Sequence, residues 1–152
     1  MKVLFNYFTI NYIKLFHLLS QPQIQIQDLP PDGSSILHIA VDTLNLDMIK
    51  LIYEITHLSP DIQDYQNITP LHLSANHPEI LKYFLSIPNI NVNVQNFQKQ
   101  TTLHLAVDHS NDKSVCLLLN HPMIDLNIKN IDNNTAFDLA VECELNESIQ
   151  NV

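Results

Sequence analysis

Eight histidines, two cysteines and a scatter of carboxylates are the side chains here that could do chemistry. Three of the histidines, His38, His72 and His104, recur at a nearly constant interval. Imidazole is the commonest metal ligand and a frequent general base, so metal binding and proton transfer are weighed first. A shared metal fails on distance. Equivalent positions of stacked units lie about 10 Å apart, whereas metal–nitrogen bonds are about 2 Å. Asp108-His109-Ser110 carries the letters of a hydrolytic triad, but adjacent residues cannot converge as those three roles require. Neither an HExxH pattern nor a calcium-loop spacing occurs. Cys116 and Cys143 make neither a disulfide framework nor a four-ligand zinc site. The single glycine excludes Walker loops, dinucleotide fingerprints and the nucleophile elbow, each of which needs at least two. The reading is of a protein with no catalytic residue, no metal and no cofactor.

Bulk composition narrows the partners. The 152 residues fit one domain, and 45% apolar residues are enough for a core. Seven Lys+Arg against 16 Asp+Glu give a net charge of −9. Phosphate backbones and anionic membranes both call for clustered cations, so neither nucleic acid nor a membrane surface is expected. A partner with a basic segment is favoured by long-range attraction. Met1 to Leu19 is apolar, but Asn6, Thr9, Asn11 and Lys14 interrupt it and no small-residue cleavage site follows. Ile10, Ile13, Leu15, Phe16, Leu18 and Leu19 read instead as a buried helical stripe. Together with the two cysteines, this points to a reduced, intracellular protein, cytoplasmic or nuclear.

The elements that would position these residues come from an internal repeat. Ser35-Ile-Leu-His-Ile-Ala40, Thr69-Pro-Leu-His-Leu-Ser74, Thr101-Thr-Leu-His-Leu-Ala106 and Thr135-Ala-Phe-Asp-Leu-Ala140 follow one another at almost even spacing. Between them align Leu18-Leu-Ser-Gln-Pro-Gln-Ile24, Phe84-Leu-Ser-Ile-Pro-Asn-Ile90 and Leu118-Leu-Asn-His-Pro-Met-Ile124. Pro22, Pro88 and Pro122 precede Ser35, Thr101 and Thr135 by one and the same interval, so the two series are locked in phase. The Ser or Thr is a helix N-cap, and Pro70 is preset for the first helical position. A short helix, a loop and a second helix such as Ile80–Leu85 follow, and Pro88 stops the second helix. Asn89 to Val94 alternates polar and apolar residues and reads as extended.

Such a unit resembles the ankyrin repeat, whose core phrase Thr69-Pro70-Leu71-His72 matches letter for letter. The resemblance implies an all-α repeat solenoid of helix–loop–helix units joined by hairpin-like turns. Residues 32–65, 66–97, 98–131 and 132–152 are four units, the last truncated, and 1–31 resemble the back half of a fifth. In the family the repeating histidine tethers the hairpin. Gly33, Asn67, Lys99 and Asn133 stand where the family has a left-handed glycine. Asparagine tolerates that backbone, whereas Lys99 implies strain or a remodelled turn. Leu44 and Ser110 replace the interhelical glycine, and unit 66–97 is two residues short at Asn76 to Glu79. The last unit has no obvious polar cap, which a solenoid normally needs. A fragment, a dimer and a fraying end all remain open. Asn93 and Asn127 occupy the hairpin asparagine position, where a bond to the turn backbone or enzymatic hydroxylation are alternatives.

The same resemblance places two candidate binding rows. Pro31, Tyr65, Phe97 and Ile131, with Ile68 alongside, fall at the hairpin tips, where rings either form an apolar stripe or fold back on their neighbours. Asp42, Asn76, Asp108 and Glu142, with His77 and His109 beside them, fall on the concave groove. The groove row is acidic and suits a basic segment carrying apolar anchors, or is simply a solvated face. The implied function is a non-enzymatic protein-binding module. Weaker resemblance points to an inhibitor-of-κB-like protein that sequesters a Rel-type transcription factor, such as a viral mimic or host-directed effector. Alternatively, the chain is a fragment that stacks on another repeat chain, or a monomer with weak self-association through incomplete terminal repeats.

Overall fold

The computed structural model describes residues 30–141, so the partial unit 1–31 falls almost wholly outside it, as do Glu142 and Cys143. The described residues hold helices and turns but no strand. Helix α1 (Ile36–Asp42) pairs with α2 (Leu46–Thr56). Helix α3 (Pro70–Leu73) tightens into a 3₁₀ turn at Ser74–Asn76 and leads to α4 (Pro78–Leu85). Helix α5 (Thr102–Asp108) pairs with α6 (Asp112–Leu119), and residues 136–141 form α7. First helices pack on first helices, α1 on α3 and α3 on α5, while α4 packs on α6 in a second layer. This is an all-α repeat solenoid, as the repeat phrase implies.

Its core is written once per unit. Leu37, Leu71 and Leu103, two residues after each cap, are buried. So are Ile52, Phe84 and Leu118 at the matching phase of the second helices. Burying side chains of this size stabilises by about 1.5–3 kcal/mol each. Ser35, Thr69 and Thr101 are the N-caps, and Pro70 takes the first turn of α3.

Backbone handedness follows the sequence closely. Gly33, Asn67, Lys99 and Asn133 have φ of 81°, 57°, 56° and 67°. Their N–H groups donate to Pro30, Asp64, Asn96 and Asn130 at 3.2, 3.1, 2.9 and 3.1 Å, so one turn recurs in all four units. Lys99 therefore keeps the turn and bears strain; the turn is not remodelled. Leu44 and Ser110, standing for the interhelical glycine, are also left-handed, at 54° and 50°. The short unit has no left-handed link. Its 3₁₀ turn, closed by His77 N–H to the Ser74 carbonyl at 2.8 Å, absorbs the two missing residues.

The extended reading of Asn89 to Val94 is corrected. The chain turns at 88–89 and again at 92–93, with Asn89 left-handed at φ 62°. Ile90 and Val92 are buried and Asn91 is exposed, so the alternation reported which residues go inside. Hairpin tips in successive units are joined by one backbone bond each, such as Phe97 N–H to the Gln66 carbonyl at 3.0 Å, too few for a strand ladder.

Left-handed backbone costs a non-glycine residue about 1–2 kcal/mol, partly offset by glycine's greater unfolded-state entropy. Lys99→Gly should therefore raise stability by about 0.5–1 kcal/mol, and Asn67→Gly by less. Urea unfolding midpoints check both; a loss of stability in Lys99→Gly would show that the lysine is not strained.

Candidate functional site

The repeating histidines set the geometry of the candidate surface. In three successive units the cap N–H donates to the imidazole Nδ1 three residues on, at 3.0 Å for Ser35–His38 and 3.2 Å for Thr69–His72 and Thr101–His104. The cap hydroxyl lies 2.8 Å from the same Nδ1. Nε2 reaches a carbonyl in the next unit: Ile68 at 3.0 Å, Gln100 at 3.1 Å and Asn134 at 3.2 Å. A carbonyl can only accept, so Nε2 carries the proton and Nδ1 accepts from the cap. Both ring nitrogens are thus committed, and neither is available to a metal. Among the described residues no group of three or more His, Cys, Asp or Glu is placed to hold one. Asp138 takes the histidine phase in the last unit. Its Oδ2 accepts from Thr135 N–H at 2.8 Å and from the Thr135 hydroxyl at 2.7 Å. A carboxylate has no proton to pass on to a following carbonyl.

These ties fix the hairpins in register. Tyr65, Phe97 and Ile131 each donate their N–H to the hairpin before, to Asp32, Gln66 and Gln98, at 2.9, 3.0 and 2.9 Å. Gln63 Nε2 reaches the Gln95 carbonyl at 3.3 Å, and Gln95 Nε2 reaches that of Lys129 at 3.1 Å. Asn93 Nδ2 donates to the Met123 carbonyl at 2.7 Å, and its Oδ1 accepts from Asp125 N–H at 3.0 Å. The Asn93 side chain thus spends its bonds on backbone, that of the next unit. Asn127 Nδ2 donates to Asp125 Oδ1 at 3.2 Å.

The tips themselves are open. Tyr65, Phe97 and Ile131 are 78%, 72% and 62% exposed, and Pro31 is exposed with them. Tyr65 also leans on its neighbour: a Cβ added at Gly33 would lie 2.6 Å from the ring. One ring face thus rests on the glycine. Ile68 is half-buried, and its carbonyl is a histidine acceptor.

The groove row divides. Asp42, Asn76, Asp108 and His109 are exposed and His77 is half-buried; Glu142 lies outside the described residues. Asn76 Oδ1 accepts from Asn111 Nδ2 at 3.0 Å, and Asp108 accepts from Gln100 Nε2 at 2.8 Å. Partial burial lowers the His77 pKa, and the neighbouring His109 adds to the effect. Asp42 opens onto a cleft of about 370 Å³ that also takes in Asp32, Asp64, His38, Ile68 and Leu73. Although Asp42 is exposed as a residue, desolvation by the cleft walls raises its pKa, with Asp32 adding to that and His38 opposing it. Hydrogen bonds from Ser34 lower that of Asp32. Asp64 Oδ1 accepts from Gln66 and Ile68 N–H, both at 2.8 Å, so it also holds its own turn. Sequence reasoning did not single out Asp32 and Asp64. They belong to successive hairpins, and only the stacking of those hairpins brings them into one cleft.

The chain belongs to the ankyrin repeat family. A family model described as ankyrin repeats in three copies matches residues 6–96, and one described as ankyrin repeats in many copies matches residues 87–140. No curated protein matches the chain. Ankyrin repeats are protein–protein interaction modules, in general without enzymatic activity. No helix among the described residues is long and apolar enough to cross a membrane.

Burial lowers the pKa of His38, His72 and His104 below 6.5, with carbonyl bonds and nearby carboxylates opposing it. The unfolded chain therefore takes up protons first as pH falls, and the stability these rings contribute above pH 6.5 is lost progressively below it. Asp138 is depressed below 3.8, chiefly by the Thr135 bonds, so its contribution is lost only at far lower pH. The urea midpoint should drop between about pH 7 and about pH 5, before carboxylates titrate. A flat midpoint over that range would contradict the buried neutral rings.

Proposed function

We propose that this protein binds a partner through an extended basic segment laid along its concave side. Lysines or arginines of the partner enter the cleft of Asp32, Asp42 and Asp64, and apolar side chains rest on Tyr65, Phe97 and Ile131. The supporting observation is the row of three large apolar tips, each more than half exposed and held in register, whose first hairpin, that of Tyr65, borders the acidic cleft through Asp64 and Gln66. Isolated exposed apolar residues are ordinary, but aromatic anchors at a fixed spacing suit an interface. Asp42 is exposed at the mouth of this cleft, where an arriving cation would meet it together with Asp32 and Asp64. An intracellular setting accords with the free, exposed Cys116 thiol.

A Rel-type factor, the partner of an inhibitor-of-κB-like protein, would be one owner of such a segment. The comparisons lend that subfamily no support, and no observation favours it over other basic partners. Stacking on another repeat chain is the second reading. Phe137 is 75% exposed, although Leu37, Leu71 and Leu103 at the same phase are buried.

Selection from a random peptide-display library tests the first reading. Enriched peptides should combine Lys or Arg with aromatic or aliphatic residues, and their affinity should fall with added salt. The triple variant Tyr65→Ala, Phe97→Ala, Ile131→Ala, with an unchanged circular dichroism spectrum, should bind them at least about tenfold more weakly. Acidic peptides, or equal binding by the variant, would contradict the reading.

A further inference from the structure

One repeated bond spaces the hairpin tips. Tyr65, Phe97 and Ile131 each donate their N–H to the residue that follows the preceding tip, Asp32, Gln66 and Gln98, at 2.9, 3.0 and 2.9 Å. Standard backbone dimensions add one N–Cα bond, one carbonyl with its Cα, and one residue to each bond, so neighbouring tips stand no more than about 11 Å apart. First helices packed on first helices, with axes about 8–10 Å apart, set a similar interval. Pro31, Tyr65, Phe97 and Ile131 therefore recur along one edge, each of them exposed. Charge is graded along the same edge. Residues 30–34 and 61–68, which hold the first two tips, carry Asp32, Asp61 and Asp64 and no lysine or arginine. Residues 94–100 and 128–134, which hold the next two, carry Lys99, and Lys129 with Asp132.

Few ligand conformations match that interval. A β-strand sets same-face side chains about 6.6–6.8 Å apart and turns every third one away. A polyproline II helix brings every third residue to one face, about 9.3 Å apart. An α-helix needs seven residues to cover about 10.5 Å. The Tyr65 ring decides between the last two. Its Cδ1, Cε1 and Cγ lie 2.6, 2.8 and 2.9 Å from where a Cβ on Gly33 would stand, so one ring face is laid on the glycine and the other is left open. A supported flat face takes a pyrrolidine ring, and aromatic surfaces of this kind hold polyproline II segments. Granted the basic partner proposed above, we infer that its bound segment is a polyproline II helix with proline or an aliphatic residue at every third position and its lysine or arginine at the end that meets Tyr65. Three anchors then seat on Tyr65, Phe97 and Ile131 within about seven residues, and the cation reaches the cleft of Asp32, Asp42 and Asp64 beside the first.

The test is a set of synthetic peptides of equal length and composition, titrated into the full chain. Each has two lysines at one end and three leucines in an alanine and glutamine background, with the leucines at every second, every third or every seventh position. Third-residue spacing should bind at least about tenfold more tightly than the other two. Prolines placed beside its leucines should tighten it further, because they set the bound conformation in advance. Ile131 is 62% exposed, so truncating it leaves the core intact. Ile131→Ala and removal of the leucine farthest from the lysines should each weaken binding about fivefold, and should cost no more together than either alone. Tighter binding at second- or seventh-residue spacing, equal binding at all three, a loss of affinity on adding the prolines, or additive losses in the double change overturns the inference and leaves a basic partner standing. No binding by any of the peptides overturns both.

Discussion

One imidazole in each of three successive units, at His38, His72 and His104, ties this solenoid together. It accepts from the cap of its own first helix on one nitrogen and donates to the next unit's backbone on the other. Removing a partner would strand buried polar groups at about 1–3 kcal/mol each. That exceeds the strain of about 1–2 kcal/mol carried at a left-handed residue such as Lys99. The tie therefore dictates the turn, and the turn dictates which residues stand at the hairpin tip. It works in the neutral ring alone, since a proton on Nδ1 would face the cap N–H.

The candidate surface is a consequence of that tie. Because each hairpin is pinned to the next, Tyr65, Phe97 and Ile131 repeat at a fixed interval along one edge. The same stacking brings Asp32 and Asp42 of one unit to Asp64 at the next hairpin. A rigid platform loses little conformational entropy on binding, which favours recognition of an extended segment. Side chains here also hold the fold: Asp64 holds its turn and lines the cleft, and Asp108 holds Gln100.

Local chemistry was the legible part of the sequence. Caps, helix stops and left-handed positions depend on a residue and its near neighbours, so Thr69, Pro88, Asn67 and even Lys99 declared themselves. That Tyr65, Phe97 and Ile131 share one place in the hairpin was readable from the phase of the repeat; whether they stand open or fold back was not, because it depends on the packing of neighbouring hairpins. The turns at 88–89 and 92–93 were not readable either, because alternating polarity reports burial and is shared by extended and doubly turned chain. The bridges from Gln63 to Gln95 and from Asn93 to Met123 were also hidden. They join residues of successive units, and nothing in a single unit marks them. The closing of the interhelical gap by a 3₁₀ turn at Ser74 is another response to packing: the deletion was visible, but its remedy was not.

The most direct measurement is the protonation and tautomeric state of these rings, by long-range proton–nitrogen correlation NMR on the full chain at about pH 6.5, where an unperturbed imidazole is about half protonated. His38, His72 and His104 should appear neutral, with the proton on Nε2 and slow to exchange. Charged rings at that pH, or protons on Nδ1, would contradict the tie on which the stacking of the hairpins depends.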